Sequence, residues 1–320
     1  MNDLKQVKNG AMAKSLRILN ENAIYFIMVA IFVFFAITLA DKGFLSASNI
    51  MNILKQTSVI SILAVGFTFV LASGEMDLSV GSTLAFSALI AALMLQRYGI
   101  VVAVLTSLAV GSLIGVLNGL LVVKVRMPSF LATIATQGIV YGAARWITNM
   151  QAVPVLNDRF TTIFGQGSLG ALPVLFIWTI LIAIIGHVIM NNTPFGRKVL
   201  ATGGNKIAAT FSGINTGNVK ILLFTAMGFI AALSGMLYTG RLAAARYNYG
   251  ESDLFTVVAA VIVGGNSIYG GKGKIVGTLI GSIILGLINN GLIIFGANVD
   301  QQIIFRGVII LIAVALSPKE

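Results

Sequence analysis

Two long apolar runs are separated by Gly74-Glu75-Met76-Asp77-Leu78-Ser79-Val80-Gly81. This stretch brings two carboxylates, a hydroxyl group and two glycines to a place where hydropathy alone would continue a membrane helix. A charged side chain is costly inside a bilayer, so an acidic residue at that depth indicates a functional site. The stretch therefore predicts a break between two helices of a membrane protein.

The composition of the whole chain points to the same class. Of its 320 residues, 57% are hydrophobic and only 10% are charged, whereas about a quarter of the residues of a soluble domain are charged. A chain with so few charges cannot cover its surface in water. We therefore predict an all-α polytopic membrane protein, with a transmembrane domain over residues 23–317 and short cytoplasmic segments at 1–22 and 318–320.

Ten apolar segments are predicted to form the helices of this domain, because a membrane span needs about 20 apolar residues. They are 23–41, 52–73, 79–96, 99–123, 128–147, 171–190, 219–240, 253–266, 274–295 and 301–317. The eighth is too short to cross a membrane by itself. It is followed by the glycine-rich run Gly264 to Gly273, so we expect it to be broken or re-entrant.

The basic residues indicate how the chain is oriented. With the N-terminus inside, the inner segments hold 13 of the 21 lysines and arginines. Basic residues are in excess in cytoplasmic loops, so both termini are predicted to be cytoplasmic. The net charge of +11 is accordingly assigned to topology and to contact with anionic membrane lipid, not to nucleic acid.

The fourth and ninth predicted helices resemble each other. The segment Gly111–Leu120 aligns with Gly281–Leu292, and each helix carries glycines at every fourth position, a spacing that lets another backbone approach closely. The likeness is either a coincidence between glycine-rich helices or the mark of an inverted five-helix repeat, an arrangement common in transporters. The two glycine series are Gly111, Gly115 and Gly119, and Gly273, Gly277 and Gly281.

The longest inner loop, about residues 193–218, carries the signal of a short helix. Asn205 is a good N-cap residue, residues 206–212 make about two turns, and Gly213 is suited to end a helix in the left-handed conformation. A helix this short is marginal unless it packs on something. The loop is therefore either a bare connector or a docking element for a cytoplasmic partner.

Most enzymatic and metal chemistry is excluded by the residues present. The chain has no cysteine and a single histidine, His187, and Gly265–Lys274 lacks the spacing of a nucleotide-binding Walker loop. No cofactor is predicted. Glu75 and Asp77 are interpreted as structural, with Asp77 capping the helix that starts near Ser79. The alternative, which is compatible with a cap, is a part in gating or in contact with a polyhydroxylated solute. In a rival secondary transporter, Asp77 or Glu75 would be the ion site.

Four stretches together resemble the ribose-type branched permease family, the membrane subunits of bacterial ABC importers for monosaccharides. They are Gly43–Ser46 with Asn49 and Asn52–Leu54, then Gly74–Gly81, Gly203–Ile214, and Gly264–Gly273 with Gly277-Thr278. Their order and spacing hold over roughly residues 40–317.

Two departures from the family pattern leave the transported sugar open. Glu75 and Met76 stand where the commonest motif has Gly and Ile. The segment Leu254–Thr256 stands where ribose-type members often have Glu-Leu-Asp.

The resemblance implies a fold like that of type II ABC importer permeases, without enzymatic activity of its own. The chain would work as a dimer with a second copy or a paralogue in the bacterial cytoplasmic membrane. A cytoplasmic ABC ATPase, which would bind the ATP, is expected at the inner loop of about residues 193–218, which would be the coupling loop. An extracytoplasmic sugar-binding protein is expected at the outer face.

The resemblance and the asparagines of the two similar helices define two predicted sets of site residues. The core motif near the pathway of a ribose-like pentose or related sugar comprises Gly74, Glu75, Asp77, Ser79, Gly81, Asn118, Asn289 and Asn290. The coupling loop comprises Gly196, Arg197, Gly203, Gly204, Asn205, Ala208, Ala209, Ser212 and Gly213.

Overall fold

The computed structural model describes residues 23–315, and the predicted cytoplasmic segments at 1–22 and 318–320 lie outside the described residues. The described part contains thirteen α-helices joined by short connections. The helices are α1 (Ala23–Thr38), α2 (Ala47–Ala72), α3 (Val80–Tyr98), α4 (Ile100–Val123), α5 (Ser129–Thr148), α6 (Asp158–Thr161), α7 (Val174–Asn192), α8 (Pro194–Gly204), α9 (Lys206–Phe211), α10 (Thr216–Leu242), α11 (Asp253–Val263), α12 (Ile275–Phe295) and α13 (Val299–Ala315).

A helix lies at each of the ten predicted positions, with ends that differ by a few residues. Six of them, α2, α3, α4, α7, α10 and α12, are long and apolar enough to cross a membrane. The prediction of an all-α, multi-pass membrane protein is confirmed. The eighth predicted helix is α11, which is only 11 residues long and ends at Val263, before the glycine-rich run.

The long helix α10 lies at the centre of one group of helices and packs on α2, α3 and α4. The contact with α4 is close because of the predicted glycine face. A Cβ atom at Gly111 would overlap the carbonyl group of Gly228, and one at Gly115 would overlap that of Phe224. Two backbones therefore touch directly, as expected for helices that pack through small residues.

The second glycine series acts in the same way on a different partner. A Cβ atom at Gly277 would overlap the carbonyl group of Gly264, and one at Gly281 would overlap that of Ala260. Helix α12 therefore packs backbone to backbone on α11. Gly273 precedes α12 and faces the side chain of Met190 instead. The close packing predicted from the spacing is thus confirmed within both helices.

Short antiparallel strands mark one end of the bundle. Strand β1 (Val153–Pro154) pairs with β4 (Ala244–Ala245), and β2 (Ser168–Leu169) pairs with β3 (Leu172–Pro173). Because α10 has 27 residues and is about 40 Å long, its other end lies far from these strands, next to α8 and α9. We call the two ends the strand end and the α8–α9 end.

Candidate functional site

The loop between α7 and α10 is built from two consecutive capped helices. The Thr193 hydroxyl accepts a hydrogen bond from the Gly196 amide at 3.3 Å and caps α8, in which Pro194 is the first residue. Asn205 Oδ1 accepts a hydrogen bond from the Ala208 amide at 2.9 Å and caps α9. Gly213, with φ +81°, follows the end of α9.

The prediction of a short capped helix over residues 206–212 matches α9, but α8 was not predicted. Its glycines Gly196, Gly203 and Gly204 lower helix propensity, so the sequence favoured an irregular segment. Tertiary contact overrides that preference. A Cβ atom at Gly196 would overlap the carbonyl groups of Ile189 and Met190, so the glycine lets α8 turn tightly back on α7.

Three distant glycine-containing segments meet where α8 ends. A Cβ atom at Gly203 would overlap the carbonyl oxygen of Ala72, at the last residue of α2. The Gly271 amide donates a hydrogen bond to the same oxygen at 2.9 Å. A Cβ atom at Gly270 would lie 2.8 Å from the Gly203 oxygen and 2.9 Å from the Gly74 nitrogen. We call this contact of 72–74, 203–204 and 270–271 the glycine junction.

The Gly74–Gly81 stretch runs from the glycine junction into the bundle. Its non-helical part is held by side chains of α5, since the Met76 amide donates to the Ser129 hydroxyl at 3.1 Å and the Leu78 amide donates to the Thr133 hydroxyl at 3.0 Å. These bonds satisfy backbone groups that have no helical partner.

The far end of the stretch meets the segment that joins α10 to α11. A Cβ atom at Gly81, in the first turn of α3, would overlap the carbonyl oxygen of Gly250. Gly250 itself has φ +75°, a left-handed backbone conformation that favours glycine. The predicted core motif therefore connects the α8–α9 end with the segment that joins α10 to α11.

Asp77, Ser79 and Asn118 form a buried hydrogen-bonded chain. Asp77 Oδ1 accepts hydrogen bonds from the Ser79 hydroxyl at 2.6 Å and the Ser79 amide at 2.9 Å. The Ser79 hydroxyl in turn accepts one from Asn118 Nδ2 at 2.8 Å. Asp77 thus fixes the turn that leads into α3. The helix begins at Val80, one residue after the predicted start, so the Asp77 bonds lie in the turn just before it, and the N-cap residue Ser79 makes no side-chain cap bond.

Glu75 forms an ion pair with Lys220 in the first turns of α10, and each side chain is only 12% exposed. The pair borders a cleft of about 390 Å³ that Arg126 and Lys206 also line. Lys220 belongs to neither predicted set. Nothing in the local sequence could have identified it, because it lies 145 residues from Glu75.

The two asparagines of α12 lie away from Asp77, towards the strand end. Asn290 and Asn49 are joined by two reciprocal amide hydrogen bonds, of 3.1 and 2.9 Å. Asn289 instead lines a separate cleft together with Arg241 and Asp253. The structure therefore brings Asn118 together with Asp77 and Ser79, but not Asn289 or Asn290.

The predicted coupling-loop set also divides by exposure. Ala208 and Ser212 are exposed, whereas Ala209 is buried. Two apolar side chains outside the predicted set are also strongly exposed: Ile207 at 71% and Phe211 at 89%. Their spacing of four residues places them on one face of α9, and that spacing is the signal by which the sequence could have identified them.

Comparison with known proteins shows which family the chain belongs to. Residues 49–314 match the family described as branched-chain amino acid transport system / permease component. The ribose import permease protein of Bacillus subtilis is 38% identical over 286 residues, 89% of each chain. That of Escherichia coli K12 is 36% identical over 300 residues, 92% of this chain and 93% of the relative.

A relative named for a different sugar is nearly as similar. The galactose/methyl galactoside import permease protein of Haemophilus influenzae is 35% identical over 324 residues, 95% of each chain. These matches cover the broken core motif, the capped loop and the glycine-rich run together. The chain therefore belongs to this family of transport permease components, whose members are membrane subunits of transporters and not enzymes.

Proposed function

We propose that this chain is the permease subunit of an ABC importer that moves a monosaccharide, a ribose-like pentose or a related sugar, into the cell. A separate ATPase would supply the energy. The observation that carries the proposal is the glycine junction, in which α8 touches the broken core motif backbone to backbone. Relatives named for ribose and galactose import support the substrate class.

The ATPase would dock on α8 and α9. The exposed Ile207 and Phe211 offer apolar anchors on α9, the kind of helix face that a groove on a partner accepts. When ATP closes the ATPase, movement of α8 would pass through Gly203 to Ala72 and Gly74. The core motif would then transmit the movement into the bundle, because both of its ends are in direct contact with the backbone of neighbouring segments.

The α8–α9 end would face the cytoplasm and the strand end the outside, with both termini cytoplasmic. The strand end carries exposed apolar side chains, among them Leu156 at 91%, which suit the docking of a sugar-binding protein. The apolar outer faces of α4 and α7 are largely exposed and would meet lipid or the second permease of a dimer.

We further infer that the domain has ten transmembrane helices arranged as an inverted repeat of five. The contacts between helices support the repeat, because equivalent helices of the two halves have equivalent neighbours. Helix α4 packs on α3 and α10, and its counterpart α12 packs on α11 and α2. Likewise α3 packs on α10 and α5, and its counterpart α11 packs on α2 and α13. These contacts of α3 and α4 thus have equivalents among the contacts of α11 and α12.

An ion-coupled secondary transporter is the alternative, with Asp77 or Glu75 as the ion site. The contacts disfavour this alternative, because both carboxylates already have partners within the protein. Glu75 is paired with Lys220, and Asp77 accepts hydrogen bonds from Ser79.

The two functions are separated by transport into proteoliposomes that contain the permease with its ATPase. Labelled D-ribose and D-galactose are added outside with the binding protein. We expect uptake of at least one sugar only when ATP is enclosed. Uptake driven by an ion gradient with neither ATP nor binding protein would refute the importer.

A further inference from the structure

A cleft of about 350 Å³ opens near the strand end between α2, α10, α11, α12 and α13. We propose that this cleft is a binding site of the permease itself for the monosaccharide in transit, a neutral polyhydroxylated ring. The proposal rests on the proposed function and assigns the site to residues that lie apart from Asp77 and the glycine junction.

Charged and aromatic groups form one part of the wall. The Tyr238 hydroxyl donates a hydrogen bond to Asp253 Oδ2 at 2.6 Å. The guanidinium groups of Arg241 and Arg306 each donate to one backbone carbonyl, at 3.5 Å and 3.0 Å. A guanidinium has five N–H donors, so both arginines keep donors for a ligand beside a carboxylate acceptor.

Three of the uncharged polar groups in the wall have no hydrogen-bond partner within the described protein. Among residues 23–315, the side-chain amides of Gln56 and Asn289 make no hydrogen bond to another residue, and the Thr256 hydroxyl is buried without a partner. A buried polar group without a hydrogen-bond partner is destabilising, so a partner supplied by a ligand is favourable. Sugar hydroxyls both donate and accept hydrogen bonds, so they match these amides and the hydroxyl.

The neighbouring asparagine provides a contrast. Asn290 is 4% exposed, and its side-chain amide forms two reciprocal hydrogen bonds with that of Asn49. Asn289 lies one residue earlier on the same helix, faces the cleft and has no such partner in the described chain. One residue therefore has a packing role, while the other is left available to a ligand.

The absence of cysteine from the chain permits a direct test. Asn289→Cys and Gln56→Cys are each assembled with the ATPase in right-side-out vesicles and treated with a charged, membrane-impermeant methanethiosulfonate reagent. Asn290→Cys is the matched control, and Phe211→Cys reports the orientation. We expect both cleft thiols to react from outside and the control thiol to remain unreactive.

The reaction is then repeated with D-ribose or D-galactose. Modification should slow about tenfold when the effective sugar is present at about ten times its dissociation constant, while sucrose leaves the rate unchanged. Equal rates with and without either sugar, or reaction only from the side that also exposes the Phe211→Cys thiol, would overturn the site. Wild-type uptake measured in the same vesicles separates this result from a failure of the importer function.

Discussion

Glu75 and Lys220 hold opposite charges in a place where water reaches each side chain only slightly. A charge left alone in such a place loses hydration without compensation, and breaking a buried pair typically costs about 3–5 kcal/mol. The ion pair joins the core motif to the first turns of α10, just after α9. It explains why an acidic residue is accommodated where related motifs commonly have glycine.

Reversal of this pair gives the first prediction. Glu75→Gln and Lys220→Met should each lower the thermal stability of the purified protein, because each leaves one charge unpaired. The exchanged double variant, Glu75→Lys with Lys220→Glu, should recover most of the loss. Lys206→Met is the control, since Lys206 lines the same cleft but is exposed and makes no ion pair among residues 23–315. An exchanged double variant no more stable than Glu75→Gln or Lys220→Met would contradict a direct pair.

Asp77 gives the second prediction. Asn at this position keeps an oxygen that can accept both Ser79 hydrogen bonds, so Asp77→Asn should assemble and transport nearly normally. Asp77→Ala removes the acceptor from a buried site and should cost about 1–3 kcal/mol of stability. Assembly is followed by size-exclusion chromatography and uptake in proteoliposomes. Normal assembly of Asp77→Asn with abolished uptake would instead require the charge, as an ion-coupled mechanism does.

At the scale of single elements, α8 shows what local sequence can and cannot specify. Helices of the membrane domain were predictable because long apolar runs fix their type and approximate limits. The helix α8 was not, because its glycines are unfavourable in an isolated helix. They are needed for contacts with Ile189, Met190 and Ala72, which exist only in the folded protein.

Two adjacent glycines of α8 supply the third prediction. A Cβ atom at Gly203 would overlap the Ala72 oxygen, whereas one at Gly204 would lie 3.7 Å from Gly271 Cα, an ordinary contact. Gly203→Ala should therefore separate α8 from the core motif and lower ATP-driven uptake strongly, at a cost of about 1–3 kcal/mol. Gly204→Ala should transport normally. Equal activity of the two variants in proteoliposomes would show that the glycine junction does not couple α8 to transport.

Helix α9 supplies the fourth prediction. Ala208 is exposed and Ala209 is 4% exposed. Ala208→Arg should leave the melting temperature unchanged but weaken copurification with the ATPase and uncouple ATP hydrolysis from uptake. Ala209→Arg should lower the melting temperature, because it forces a charge into the interior. If Ala208→Arg retains the wild-type ratio of sugar transported to ATP hydrolysed, the ATPase docks elsewhere.

For the whole molecule, the sequence supplied the class and the order of helices, and the family motifs indicated which segments belong to the site. It could not show that Gly74, Gly203 and Gly270 meet, nor that Asn289 lines a cleft whereas Asn118 is buried beside Ser79. Those facts depend on contacts between segments distant in the chain. Hydropathy and capping signals are local, so they carry no information on such pairings.

The sidedness of the bundle gives the fifth prediction. Single cysteines at Leu156 and Phe211 lie at opposite ends and replace highly exposed side chains, 91% and 89%. In right-side-out vesicles an impermeant thiol reagent should label Leu156→Cys and spare Phe211→Cys, and inside-out vesicles should give the reverse. The unsubstituted chain has no thiol and serves as the blank. The opposite labelling pattern would show that the chain has the inverse orientation. Labelling of both cysteines from the same side would show that the two ends do not lie on opposite sides of the membrane.

The Gly74–Gly81 stretch is fixed at both ends by backbone contacts and in between by the hydroxyl groups of Ser129 and Thr133. Its length is therefore more strictly constrained than its composition. Side chains at Glu75 and Met76 can differ from those of the related motif while the spacing is kept. A single inserted or deleted residue would move the Met76 and Leu78 amides away from their hydroxyl partners and displace Gly81 from Gly250. We therefore expect this stretch to tolerate substitutions better than insertions or deletions.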